Sequence, residues 1–179
     1  MKKTGTINTT LINIILAAMF LSIGMVLPFF TAQIKEIGDT LLPMHIPVML
    51  CGMICGGKYG FATGLALPFL RSLSFTMPPM YPNAVWMAIE LATYGLVVGL
   101  IYSKFSKGRK IWIYISLIIS MIAGRIAWGI SKAVLLGGAG KSFTFSAFIF
   151  GGFVDALPGI LLQLLLIPPI IMIINRKKY

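Results

Sequence analysis

Residues 11–30 run without a single charged side chain. A run of that length matches the roughly 20 residues a helix needs to cross a hydrocarbon core. Apolar runs recur at 41–56, 59–75, 83–102, 111–136 and 145–174, interrupted by only five charges. Hydrophobic residues make up 58% of the chain and charged residues 11%, far too apolar a balance for a soluble domain of this size. The expected fold is all-α, a polytopic membrane protein with about six transmembrane helices. The connections are short, so residues 1–179 are expected to form a single integral-membrane domain.

Individual runs carry local signals. The second and third are short, contain Pro47 and Pro68, and meet at Gly56-Gly57-Lys58. They are expected to form a hairpin, tilted or partly broken. The sixth is long and holds Pro158, Pro168 and Pro169, which predicts a kink. The first run has two readings, a membrane helix or a signal peptide with Met1-Lys2-Lys3 as its basic start. A signal core spans only about 7–15 residues, which favours the helix.

The formal charge of +11 resembles a nucleic-acid signal, but topology explains it better. With a cytoplasmic N-terminus, Lys2, Lys3, Lys58, Lys104, Lys107, Arg109, Lys110, Arg176, Lys177 and Lys178 all fall inside. Lys35 and Lys141 alone fall in outer loops, with Glu36 and Asp39 beside the first. This positive-inside pattern predicts a multi-pass protein with both termini cytoplasmic, in contact with lipid, and no nucleic-acid partner.

Arg71, Glu90, Arg125, Lys132 and Asp155 lie inside the runs. A charge within a bilayer costs several kcal/mol unless paired or hydrated, so each is a functional candidate. Counted at about 1.5 Å of rise per residue, all five fall near the midplane or in the outer half. His45 opens the second run on the same side. Arg125 and Lys132 are seven apart and share a helix face. They are expected to line a polar cavity, with Glu90 and Asp155 as partners. The five charges sum to +1, which favours an anionic solute such as a carboxylate held by an arginine fork. The alternative is structural, with Arg71 and Lys132 snorkelling to headgroups and Glu90–Arg125 as a plain interhelical ion pair.

Tyr81, Asn83 and Trp86 stand at the outer entrance to the fourth run, and Phe143, Phe145 and Phe148 in the next outer loop. They fit either a site rim or an interfacial aromatic belt. Met77 and Met80 flank Pro78-Pro79 as an adaptable lid. The candidate substrate-binding set is therefore His45, Arg71, Tyr81, Asn83, Trp86, Glu90, Arg125, Lys132 and Asp155.

Other motifs are set aside. "LLGGAGKS" has Leu135 where a phosphate loop needs its first glycine. Cys51 and Cys55 share a helix face without His or carboxylate neighbours, which suits packing rather than a metal. There is no Ser–His–Asp set, the chain has a single histidine, and no enzyme activity, cofactor or metal is expected. Gly52, Gly56, Gly60 and Gly64 recur every four residues, as do the small residues Ala18 and Ser22, and such faces permit close helix contact.

"HIPVMLCGMICGGKYGFATGLALPFLRS" (45–72) and "MPPMYPNAVWMAIELATYGLVVGLIY" (77–102) resemble the substrate-binding S-components of energy-coupling factor (ECF) vitamin transporters. That resemblance implies a bacterial cell-membrane protein with an outward-facing pocket closed by outer loops. It implies a small-molecule vitamin as ligand. It also implies partners, namely a transmembrane coupling protein plus two cytoplasmic ATPase subunits. The family's Ala-xxx-Ala docking motif is matched here by Ala18 and Ser22. Within the family the chain resembles the group that includes pantothenate carriers, with pyridoxine or a thiamine precursor as alternatives. A self-sufficient secondary transporter and a solute-free structural or regulatory membrane protein stand as competing functions.

Overall fold

The computed structural model describes residues 8–31, 40–106, 109–138, 140 and 143–176. Lys2, Lys3, Lys35, Glu36, Asp39, Lys107, Lys141, Lys177 and Lys178 lie outside the described residues. The described residues are mostly helical, with no strand among them. Helix α1 spans Thr9–Val26 and continues as a 3-10 turn, Leu27–Thr31. Helices α2 (His45–Cys55) and α3 (Gly57–Phe75) follow. A π-turn, Met80–Ala84, leads into α4, Val85–Phe105. Helix α5 spans Ile111–Gly138. The sixth run is split into α6 (Phe145–Ile149), a π-turn (Phe150–Val154) and α7 (Leu157–Arg176).

Four runs are long and apolar enough to cross a membrane: Thr9–Phe30, Met80–Phe105, Ile111–Gly138 and Phe145–Ile174. The molecule is an all-α membrane protein. The second run is shorter as a helix than the 41–56 apolar pattern suggested. Leu42 takes a positive φ of 50° and Pro43 follows it, so α2 starts only at His45. Its 11 residues cover roughly 16 Å at 1.5 Å each, about half a hydrocarbon core. Helix α3 is long enough, but its Lys58, Thr63, Arg71 and Ser72 make it too polar to stand in lipid alone. The bundle shelters it, with Thr63, Arg71 and Ser72 all buried.

Glycines let this polar pair sit inside. Gly56 joins α2 to α3 as a single residue at φ 102°, a left-handed conformation that costs a side-chain-bearing residue steric strain. A methyl group on Gly60 would meet the Gly95 carbonyl oxygen at 2.6 Å and the Gly52 Cα at 2.7 Å. Of the expected glycine face, Gly52, Gly60 and Gly64 pack against the α4 backbone, where Gly95 and Gly99 answer them, while a methyl group on Gly56 would meet nothing within 4 Å. Backbones in direct contact gain dispersion energy without side-chain entropy loss, as in membrane helix pairs generally. Cys51 and Cys55 are buried in the main apolar core, and Cys51 Sγ lies 3.4 Å from Thr63 Oγ1.

Helix α5 carries buried serines at no great cost. Ser116, Ser120 and Ser131 each donate to the carbonyl three residues earlier, which keeps their hydroxyls satisfied within the helix. The expected kink in the sixth run falls at a π-turn, where Asp155 keeps helical backbone angles and its N–H donates to the Phe150 carbonyl oxygen at 2.9 Å. Asp155 and Ala156 form a turn, and Pro158 takes the second position of α7, where a missing N–H removes no helical bond. Pro168 and Pro169 stay within α7 without ending it. Helix α1 is peripheral. Only 11% of its apolar window is buried, against 50% for α4 and α5.

Candidate functional site

The ends of α1, α3 and α5 and the starts of α2, α4 and α7 meet at one end of the bundle. They enclose a cavity of about 480 Å³, within the few-hundred-Å³ range of small-molecule sites. Eight of the nine expected residues line it: His45, Arg71, Asn83, Trp86, Glu90, Arg125, Lys132 and Asp155. Tyr81 does not. It sits in the π-turn with extended backbone angles and is 66% exposed. Met77 reaches the lining with Pro78 and Pro79, whereas Met80 does not.

The charges are held by specific contacts. Glu90 projects from the second turn of α4 into the space between α2 and α5. Its Oε1 lies 2.9 Å from Arg125 Nη1 and 3.4 Å from His45 Nε2. Tyr94, one turn further along α4, packs its ring edge-on against His45 at 4.9 Å. That ring in turn fills the space beside Gly124 of α5. Arg125 Nε and Nη2 and His45 Nδ1 are buried without a hydrogen-bond partner. Each such atom costs about 1–3 kcal/mol when left dry, so a ligand or water that satisfies them gains that back.

Arg71 is buried and serves a different end of the cavity. Its Nη1 donates to the Met25 carbonyl oxygen at 2.6 Å. The guanidinium lies over the Phe29 and Phe75 rings, 5.3 and 5.5 Å from their centroids. Lys132 points its ammonium at three rings, Trp128, Trp86 and Phe143, at 4.5, 5.3 and 5.5 Å. The burial of Arg71 within the bundle runs against the headgroup-snorkelling alternative for that residue.

Asp155 differs from its expected role. It was expected to pair with Arg125 or Lys132, yet it forms no ion pair among the described residues. Between the π-turn and α7 it forms an exposed corner of the lining. Phe148 packs beside Trp128 and over Gly129, while Phe145 is 77% exposed.

Trp128 is the main residue that sequence reasoning missed. It stands three residues after Arg125 and four before Lys132, so helical spacing places all three on one face. Met44 and Met87 also line the cavity, and nothing in the apolar pattern separates them from core methionines. Away from the cavity, Ala18 and Ser22 are exposed on α1, and Ser22 Oγ donates to the Ala18 carbonyl at 3.0 Å. No cluster of three metal-ligating side chains occurs among the described residues.

Searches of curated proteins and of solved structures return no match for the chain. A family profile described as ECF transporter, substrate-specific component, matches residues 13–171. Most of the chain, including every charged residue of the cavity, falls inside that match, and the protein belongs to the family of substrate-specific components of ECF transporters.

Proposed function

We propose that this subunit captures a small carboxylate-bearing vitamin, with pantothenate as the leading candidate, in a cavity open to the outside of a bacterial cell. The coupling protein and two cytoplasmic ATPases of an ECF module then drive its release inside. One observation carries the choice of an anion. Arg125, a residue of the cavity lining, uses only Nη1 on Glu90 and leaves its buried Nε and Nη2 without partners. Two adjacent N–H groups of a guanidinium match the two oxygens of a carboxylate. Arg71, Arg125 and Lys132 outnumber Glu90 and Asp155 in the lining, three cations to two carboxylates. His45, Asn83 and Trp86 supply polar and flat surfaces for the rest of the solute.

Calorimetric titration of the purified, detergent-solubilised chain tests this, with a vitamin panel led by pantothenate. Saturable one-to-one binding of pantothenate, with no binding of its alcohol analogue pantothenol, is the expected result. Equal binding of acid and alcohol overturns the carboxylate assignment. Silence across the whole panel from folded protein overturns the vitamin assignment.

A further inference from the structure

Lys132 is placed as a ligand would be placed. Trp128 comes from α5, Trp86 from α4, and Phe143 from the stretch ahead of α6. Together they set three ring systems around one ammonium group, 4.5 to 5.5 Å from their centroids. The Trp128 ring is shared, since the Arg125 guanidinium lies 5.9 Å from it as well. Convergent aromatic faces are how proteins bind quaternary ammonium and other organic cations, because ring faces carry negative potential. Here the cage forms part of the solute cavity, and the chain's own side chain occupies it.

We infer that Lys132 is the specificity determinant of this cavity, a built-in cation that fills an aromatic cage and so bars cationic solutes while favouring anionic ones. The inference rests on the reading of the cavity as the solute site. Its physics has two parts. A cationic ligand would have to displace an ammonium already held by three rings, and would meet its charge at short range. An anion meets that charge without displacing it. Discrimination therefore comes from a repulsive element as well as an attractive one. Replacing Lys132 with methionine, uncharged and one atom shorter, leaves the rings in place and puts only a flexible thioether near the cage, which an outside cation can push aside.

The test uses the full chain, purified in detergent, as wild type, Lys132→Met and Lys132→Arg. Pantothenate and choline are titrated into each, with heat and tryptophan fluorescence as readouts. Wild type is expected to bind pantothenate and to refuse choline. In Lys132→Met, choline affinity should rise by about tenfold or more, and pantothenate affinity should fall by about tenfold. Lys132→Arg restores a cation to the rings, so it should refuse choline again, which guards against a general loosening of the fold. Equal choline affinity in wild type and Lys132→Met overturns the inference, as does choline binding to Lys132→Arg at the level of Lys132→Met. Should wild type bind pantothenate while the cage result fails, the inference falls and the solute site stands. A choline gain in Lys132→Met without pantothenate binding in wild type upholds the cage and removes only pantothenate. Neither probe binding any of the three proteins overturns both.

Discussion

Glu90 of α4 and Arg125 of α5 meet at 2.9 Å, with side chains only 3% and 4% exposed. Two ions so deeply buried lose most of their hydration, and their attraction must offset that loss. Removing one partner leaves the other charged and dry, at a cost of about 3–5 kcal/mol, whereas removing both can be nearly neutral. Glu90→Gln and Arg125→Met are therefore each expected to lower the melting temperature of the solubilised protein markedly. The double variant is expected to lose less than the sum of the two. Thermal melts of the four proteins give the coupling directly, and strict additivity would show that the pair is not a unit. Titration separates the roles: Arg125→Met should also abolish pantothenate binding, because the unpartnered N–H groups go with it.

The close crossing of α3 on α4 makes a sharper prediction. Gly60→Ala puts a methyl 2.6 Å from the Gly95 carbonyl oxygen, and backbone cannot rotate away as a side chain can. Overpacking of this kind costs about 1–3 kcal/mol. Gly137→Ala is the control. A methyl group there would have no atom within 4 Å, and alanine is the better helix former by about 1 kcal/mol. The first variant should melt earlier than wild type and the second no earlier. Equal melting of both would mean that the two helices do not cross so closely.

Both features were partly legible beforehand. Helix rise anticipated that the charges within the runs gather around one cavity, and the four-residue glycine rhythm of α2 and α3 is written in the sequence. The pairing was legible only in part. Glu90 has its arginine, but Asp155 falls where the π-turn carrying Gly151 and Gly152 meets α7, and it is exposed there. Gly95 and Gly99 went unread because a lone small pair on α4 acquires meaning only opposite Gly52, Gly57 and Gly60. Trp128 was readable in principle from its spacing between Arg125 and Lys132. It was passed over because an aromatic in a membrane run is ordinarily packing or lipid contact. The late start of α2 at His45 was not legible, since apolar periodicity cannot tell a buried half-length helix from a spanning one.

Arg71 links the cavity to α1. Its target, the Met25 carbonyl, lies among the last four of that helix, which lack intrahelical donors. A hydrogen bond from a charged group is worth about 1.5–3 kcal/mol. Arg71→Met keeps an apolar stem between Phe29 and Phe75 but loses the donor. Faster amide hydrogen exchange across the 3-10 turn Leu27–Thr31 is the expected outcome, with exchange in α4 unchanged. A uniform increase over the bundle would mean that Arg71 supports global stability rather than the end of α1.

Helix α1 offers the final test, which concerns the proposed partner. Ala18 and Ser22 are exposed, and the Ser22 hydroxyl is satisfied by its own helix. The face between them is therefore shallow and presents no unpaired donor, which suits close approach by another membrane helix. Ala18→Trp fills that shallow face without touching the cavity. Pantothenate affinity of the purified variant should equal that of wild type, while uptake by cells supplying the coupling protein and both ATPases should fall by roughly tenfold or more. Leu161→Trp, on an α7 position that is 61% exposed, controls for a bulky ring placed elsewhere on the lipid-facing surface and should leave uptake intact. Normal uptake by Ala18→Trp would move the docking face off α1. Loss in both variants would point to impaired membrane insertion instead of a lost contact.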